Sequence, residues 1–334
     1  MGFRVLKGGL LTTVQDLGRT GYQSQGFSVG GVMDTRAFRL ANLLLDNPEN
    51  EAVLEITLLG PELEFTAPTV IAVTGGDFSP ALNGRPVPMY TALYIRKGDV
   101  LRFGGARTGT RGCIAFSGGL DVPVVMGSRS TSLKCRVGGF QGRRLEAGDV
   151  IEERRRRTRL SCFASRKLAP PPYAEDDGVL RVVMGPQDDR FTRQGVEAFL
   201  GCEYTVTGES DRMGCRLEGP EITPKETSDI LSDGIAFGAV QVSSAGKPIV
   251  LLADRQTTGG YAKIATVISA DLPRLVQKRM DQKVRFRAVT VQEAREACLR
   301  EAEEIERLRK QIHTPDREIP PGERLLRSLA RRNF

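Results

Sequence analysis

The 334 residues carry a formal charge of +7, are 40% apolar and 27% charged, and include 37 glycines and no Trp. That balance suits a globular protein of two domains with many strands and turns, and no run approaches the ~18 apolar residues of a membrane span. Six scattered cysteines without Cys-x-x-Cys and one histidine, His313, exclude a multi-histidine metal site and argue for reduced thiols.

The N-terminus enters a strand pattern at Phe3–Leu6 with no signal peptide, so a cytoplasmic location is expected. Leu10–Val14 continues it, and Gln15–Gly21 leads into a glycine-rich loop through Gly26, Gly30 and Gly31. Asp34 is a good N-cap for a helix with Ala37, Leu40, Ala41, Leu44 and Leu45 on one face, ended by Asp46-Asn47-Pro48. Residues 52–104 read as consecutive strands, with a hairpin signal at Asn83-Gly84. Further strands are expected around Cys113–Phe116 and Asp149–Ile151. Residues 152–167 hold seven Lys or Arg against two Glu, without interleaved aromatics. The segment therefore reads as a solvated linker or acidic-partner contact, and nucleic-acid binding is not expected. Prolines 170–172 and the acidic run after them mark a linker over 166–178, between a first β-domain, 1–165, and a second, 179–290. Helices are expected near Asp188–Leu200 and Leu272–Met280. A last helix over 291–312 carries Val291, Ala294, Cys298, Ala302, Ile305, Leu308 and Ile312 as its apolar stripe, and a basic tail runs to Phe334. Leu59-Gly60-Pro61-Glu62 is echoed by Glu218-Gly219-Pro220-Glu221, as two related β-domains in tandem would give.

Four polar, glycine-bearing clusters are candidates for chemistry. They are Gln15–Arg19; Thr74-Gly75-Gly76-Asp77; Ser117-Gly118-Gly119 with Gly127–Thr131; and Asp254–Lys263, preceded by Ser210–Gly214. The last lies between the apolar runs Ile249–Ala253 and Ile264–Ile268, where charged and hydroxyl side chains are costly unless they reach solvent or a ligand. Paired glycines at strand ends can present backbone N–H groups to an anion, and adjacent arginines can orient a carboxylate or phosphate. None is a Walker A or dinucleotide fingerprint. For each cluster alone a tight turn is an equal alternative. A Ser-His-Asp or Cys-His mechanism would have to use His313, so proton transfer falls to Asp, Glu, Lys or Tyr.

Taken in order, Thr13–Arg19, Asp34–Asn42, Glu55 with Gly60-Pro61, Thr74–Asp77, Ser117–Gly119, Gly138-Gly139, Gly185–Gln187, Ser210–Gly214, Gln241-Val242 and Asp254–Tyr261 resemble the KipA family. That family is also described as the C component of 5-oxoprolinase, the second subunit of allophanate hydrolase, or a biotin-dependent carboxyltransferase. The resemblance covers roughly residues 3–290. It implies a mainly β fold of two tandem cyclophilin-like barrels with a few short helices and a C-terminal helix. It also implies a KipI-type partner (the B component) and a LamB/YcsF-type partner (the A component), with ATP and Mg²⁺ used at the level of the complex to open 5-oxoproline to glutamate.

Residue chemistry then nominates Asp254, Asp77 and Asp16 as base or Mg²⁺ positions and Tyr261 as an orienting group. Arg19, Arg212, Lys263, Gln241, Thr257 and Thr258 are candidate anion contacts, and Gly75, Gly76, Gly118, Gly119, Gly259 and Gly260 are candidate backbone donors. Structural ion pairs or turn bonds are the competing reading for Asp16, Arg19 and Arg212. Two alternatives remain: half of a urea carboxylase-like enzyme using biotin carried on another chain, and a non-enzymatic antagonist of a KipI-type histidine-kinase inhibitor.

Overall fold

The computed structural model describes residues 1–171 and 176–314. The basic tail expected from Asp316 to Phe334 lies outside the described residues, as does the middle of the expected linker. The fold is mainly β with few helices, one of them C-terminal, as the sequence leads one to expect.

The first half stacks two sheets. One runs Val150–Glu152, Gly2–Lys7, Glu62–Phe65, Val100–Arg102, Ala81–Leu82, Arg85–Pro86. The other runs Leu11–Gln15, Val53–Thr57, Thr108–Phe116, Thr69–Asp77, Ala92–Ile95. Between them lie Phe3, Leu54, Ile56, Ile71, Val73, Ile114 and Phe116. The alternate residues Val53, Val70, Ala72, Cys113 and Ala115 bury the outer face of the second sheet under helix α1, Thr35–Leu44. Burial on both faces is why these strands read as near-continuous apolar runs. Asp34 caps α1 as expected, its Oδ1 accepting from Ala37 N–H at 2.8 Å. Asn83 and Gly84 both take positive φ, +51° and +80°, as a two-residue hairpin of the primed type requires.

Two arginines of the basic segment bind the end of α1. Arg157 Nη2 donates to the carbonyls of Leu45 and Asp46 at 2.9 and 3.0 Å, and Arg166 Nη1 donates to that of Leu44 at 2.9 Å. Cations thus satisfy the orphan carbonyls of the helix end.

The second half is a closed barrel in the order Val179–Met184, Lys263–Val267, Ala239–Val242, Pro248–Leu251, Gly214–Glu218, Tyr204–Val206, Lys283–Ala288. Parallel pairing of the last strand with the first closes it. Helix α2, Arg193–Gly201, follows a 3-10 turn over Asp188–Arg190 and starts at Thr192, so the helix expected from Asp188 begins later. Helix α3 is the single turn Leu272–Val276, shorter than expected. Helix α4, Val291–Ile312, has the expected bounds and a Thr290–Glu293 capping box. Its expected stripe packs at Ile305, Leu308 and Ile312 but departs from expectation elsewhere. Val291 is 63% exposed, while Ala297 is buried and Glu301 half-buried.

The halves exchange core residues. Met33 joins the barrel core, whereas Ile312, at the end of α4, is fully buried in the core around α1. Gln277 stitches the seam: Nε2 donates to Asp34 Oδ2 at 2.6 Å and to the Arg111 carbonyl at 2.9 Å, and Oε1 accepts from Thr110 and Arg111 N–H at 2.9 and 3.0 Å.

Candidate functional site

Where the halves meet, loops from both bring charged side chains together. Asp16, at the end of Leu11–Gln15, is buried and accepts four donors: Gly18 N–H at 2.8 Å, and Ser128 Oγ, Ser130 Oγ and Arg129 N–H each at 2.6 Å. A carboxylate so saturated organises the loop and has little capacity left to take a substrate proton.

Arg19 follows on the same loop and is 1% exposed. Its Nη2 donates to the Ser130 carbonyl. Its Nε and Nη1 have no partner among the described residues. Burial, above all, lowers its pKa, with Asp16 opposing. Two glycines with positive φ border it. A Cβ on Gly138 would fall 2.6 Å from Arg19 Nη2, and one on Gly30 would stand 3.7 Å from Arg19 Nη1 and 3.6 Å from Asp254 Oδ1. Arg19 Nη1 and Asp254 Oδ1 therefore both stand beside Gly30.

Asp254 is positioned by Arg212. Arg212 Nε donates to Asp254 Oδ2 at 2.8 Å, Nη2 to Asp254 Oδ1 at 3.1 Å and to the Gly31 carbonyl at 2.6 Å, and Nη1 to Glu55. Glu55 comes from the inner strand Val53–Thr57, and its other oxygen accepts from Met33 N–H at 2.6 Å. Burial works against the Arg212 charge, but the Glu55 and Asp254 carboxylates outweigh it and push its pKa above the usual range. Glu55 and Arg212 are 2% and 6% exposed and Asp254 22%, so Asp254 is the member of the trio that meets solvent.

The remaining nominated residues lie in separate surroundings. Thr258, Gly259, Gly260 and Tyr261 form a short strand paired with Asp229–Gly234, where a loop was expected. Thr257 precedes it, its carbonyl accepting from Ile235 N–H at 3.1 Å. Lys263 Nζ is bound to Asp233 at 2.6 Å and the Gly234 carbonyl at 3.1 Å, and Gln241 Nε2 donates to the Tyr261 carbonyl at 3.1 Å. Gly75 N–H donates to Tyr90 Oη, and Gly76 packs on Gly109. Asp77 Oδ1 accepts from Ser79 N–H at 2.8 Å. Gly118 and Gly119 pack on the Arg155 carbonyl and the Glu51 carboxylate. His313 sits at the end of α4 with Nε2 2.9 Å from Asp46 Oδ1. Among the described residues no three His, Cys, Asp or Glu side chains are grouped to hold a metal ion.

Sequence reasoning did not nominate Glu55 or Arg111 as site residues. The available signal was a charge inside a strand buried on both faces, which needs a partner from elsewhere.

Comparison with known proteins follows from this geometry. Residues 25–288 match the family described as carboxyltransferase domain, subdomain A and B. The chain is 39% identical over 293 residues to the C component of the 5-oxoprolinase of Haemophilus influenzae, spanning 88% of this chain and 92% of that one. It is 36% identical over 318 residues to the protein of the same name from Escherichia coli, spanning 93% and 98%. The solved urea carboxylase of Kluyveromyces lactis superposes with a TM-score of 0.82 at 29% identity, covering 96% of this chain and 30% of that one.

Proposed function

This chain belongs to the carboxyltransferase subdomain A and B family, and we propose that it is one component of an ATP-dependent 5-oxoprolinase, acting with KipI-type and LamB/YcsF-type partners. The observation that carries the reading is Arg19: a buried guanidinium with two unmet N–H groups beside Asp254. Relatives named as the C component of 5-oxoprolinase, matched along nearly their whole length, support it.

5-Oxoproline bears a carboxylate and a resonance-stabilised lactam. Arg19 would hold the carboxylate, neutralising a charge that otherwise lacks a full partner. Asp254, fixed by Arg212, would orient and deprotonate the attacking water. ATP with Mg²⁺ would supply the phosphoryl group that activates the lactam carbonyl; once water adds at that carbon the ring C–N bond breaks, the nitrogen takes up a proton, and a second water releases the phosphoryl group as phosphate, in a site completed by the partner proteins.

The test is 5-oxoproline-dependent release of ADP and glutamate by the co-purified three-protein complex. Asp254→Asn is expected to lower kcat by about 10²–10⁴-fold, as loss of a general base does. Arg19→Met is expected to raise KM for 5-oxoproline with assembly unchanged. Full activity in both variants, or release by this chain alone, sinks the proposal.

A second reading is favoured by the superposition on urea carboxylase: transfer of a carboxyl group from biotin on another chain. Avidin-sensitive carboxyl transfer without lactam opening would select it.

A further inference from the structure

We propose that the seam between the halves holds a second ligand site, centred on Arg111, that takes a short aliphatic carboxylate. It does not depend on the 5-oxoprolinase reading.

A cavity of about 400 Å³ opens there, within the range of small-molecule sites. Arg111, in Thr108–Phe116, is 8% exposed. Its side chain makes one hydrogen bond among the described residues, from Nη1 to Thr57 Oγ1, and Nε is buried without a partner. Burial, more than anything else, lowers its pKa. Glu55 opposes, and the neighbouring charge of Arg212 adds to the lowering. A bound anion would relieve this guanidinium, since Glu55 is already engaged by Arg212.

The rest of the lining sets the ligand's size and charge. Met33, Leu252, Leu275 and Val276 supply an apolar wall drawn from both halves. Lys278 also lines the cavity, but its charge is met by Asp176 at 2.6 Å. Arg279 donates to the carbonyls of Ala106, Arg107 and Gly109, and Asp211 on the same lining favours the charged form of Arg111. Asp211 set against the Arg111 and Arg279 guanidinia leaves one net positive charge for a ligand. A nucleotide or other polyanion would find too few cations here, and a neutral lipid would leave Arg111 unmet. A monoanion with an apolar body satisfies both the guanidinium and the wall.

Glu55 acts electrostatically on Arg111, and Arg212 ties Glu55 to Asp254. The two sites therefore share one buried ion pair without sharing a ligand contact.

The test is saturation-transfer NMR on the purified chain with hexanoate as the probe. Hexanol supplies the same body without the charge. Met280 lines the cavity and is 61% exposed, so Met280→Glu adds a repelling carboxylate without disturbing the core. Saturable hexanoate binding is expected, weakened about tenfold or more by Met280→Glu and by Arg111→Met, with hexanol weaker than hexanoate by at least as much. Should Arg111→Met fail to fold, Met280→Glu decides alone. Binding unchanged in Met280→Glu, equal binding of hexanol and hexanoate, or no saturable hexanoate binding overturns the proposal. Because the readout is binding by the isolated chain, its failure leaves the lactam reading untouched.

Discussion

Arg19 and Arg212 are both buried, yet their partners set opposite expectations for removing them. Arg212 answers two carboxylates and a carbonyl. Arg212→Met would strand Glu55 at 2% exposure and is expected to cost about 3–5 kcal/mol, read as a lower urea midpoint. Arg19 answers one carbonyl and leaves two N–H positions unmet. Arg19→Met is therefore expected to change the midpoint little or raise it, because methionine removes an uncompensated charge. A fall as large as that of Arg212→Met would reassign Arg19 to structure. Glu153 gives a pH expectation. It is 8% exposed, with one oxygen unpartnered and the other accepting from Thr69 Oγ1 at 2.6 Å, and burial raises its pKa to about 7. Between its ordinary value of 4.5 and about 7 the folded chain binds more protons than the unfolded one. Stability therefore falls as pH rises through that window, by roughly 2–3 kcal/mol. Glu153→Gln should flatten the fall, and denaturant titrations at pH 5 and pH 8 check it. Of the buried charges at this site, Asp16, Arg19 and Arg212 were visible as chemistry in the sequence. What hid was which of them is saturated: Asp16 meets Ser128 and Ser130, 112 and 114 residues away.

At the scale of elements, what was legible was local. The Asp34 cap, the Asn83-Gly84 turn and the span of α4 each depend on neighbours a few residues away. What was not legible depended on distant pairing. Residues 258–261 become a strand because Asp229–Gly234 lies beside them. The expected stripe of α4 packs at Ile305, Leu308 and Ile312 but not at Val291, and half-buried Glu301 lies among the charges of Arg36 and Arg39 from α1, a pairing that depends on a distant helix. Glu55 finds Arg212 157 residues on, and Arg111 finds Gln277 166 residues on. Thr290 caps α4, with its side chain on Glu293 N–H and the Glu293 carboxylate returned to Thr290 N–H. Thr290→Ala is expected to destabilise by about 1 kcal/mol, seen as faster amide exchange in the first turn of α4.

On the scale of the molecule, the halves are bound by exchange. Met33 is set in the barrel core, and Ile312 is set in the core beside α1. A chain ending at Thr290 would lose Ile312 outright and the packing of Ile305 and Leu308. A buried apolar side chain stabilises by about 1.5–3 kcal/mol, so such a chain should bind a hydrophobic dye and melt in two steps where the full chain melts in one. A single unshifted transition would show that α4 is dispensable. The same exchange bears on how the chain is made. Protein is synthesised from its N-terminus at about 5–20 residues per second, and a first domain ordinarily folds while the rest is still being added. Here the pocket beside α1 closes only with residue 312. From Leu168, the last first-half core residue before that, the ribosome needs roughly 7–30 seconds to reach it. For that interval the core that holds Phe38, Leu44 and Tyr90 lacks Ile305, Leu308 and Ile312. The nascent chain should then be a client for a chaperone that recognises exposed apolar surface, and release from it should coincide with completion of α4.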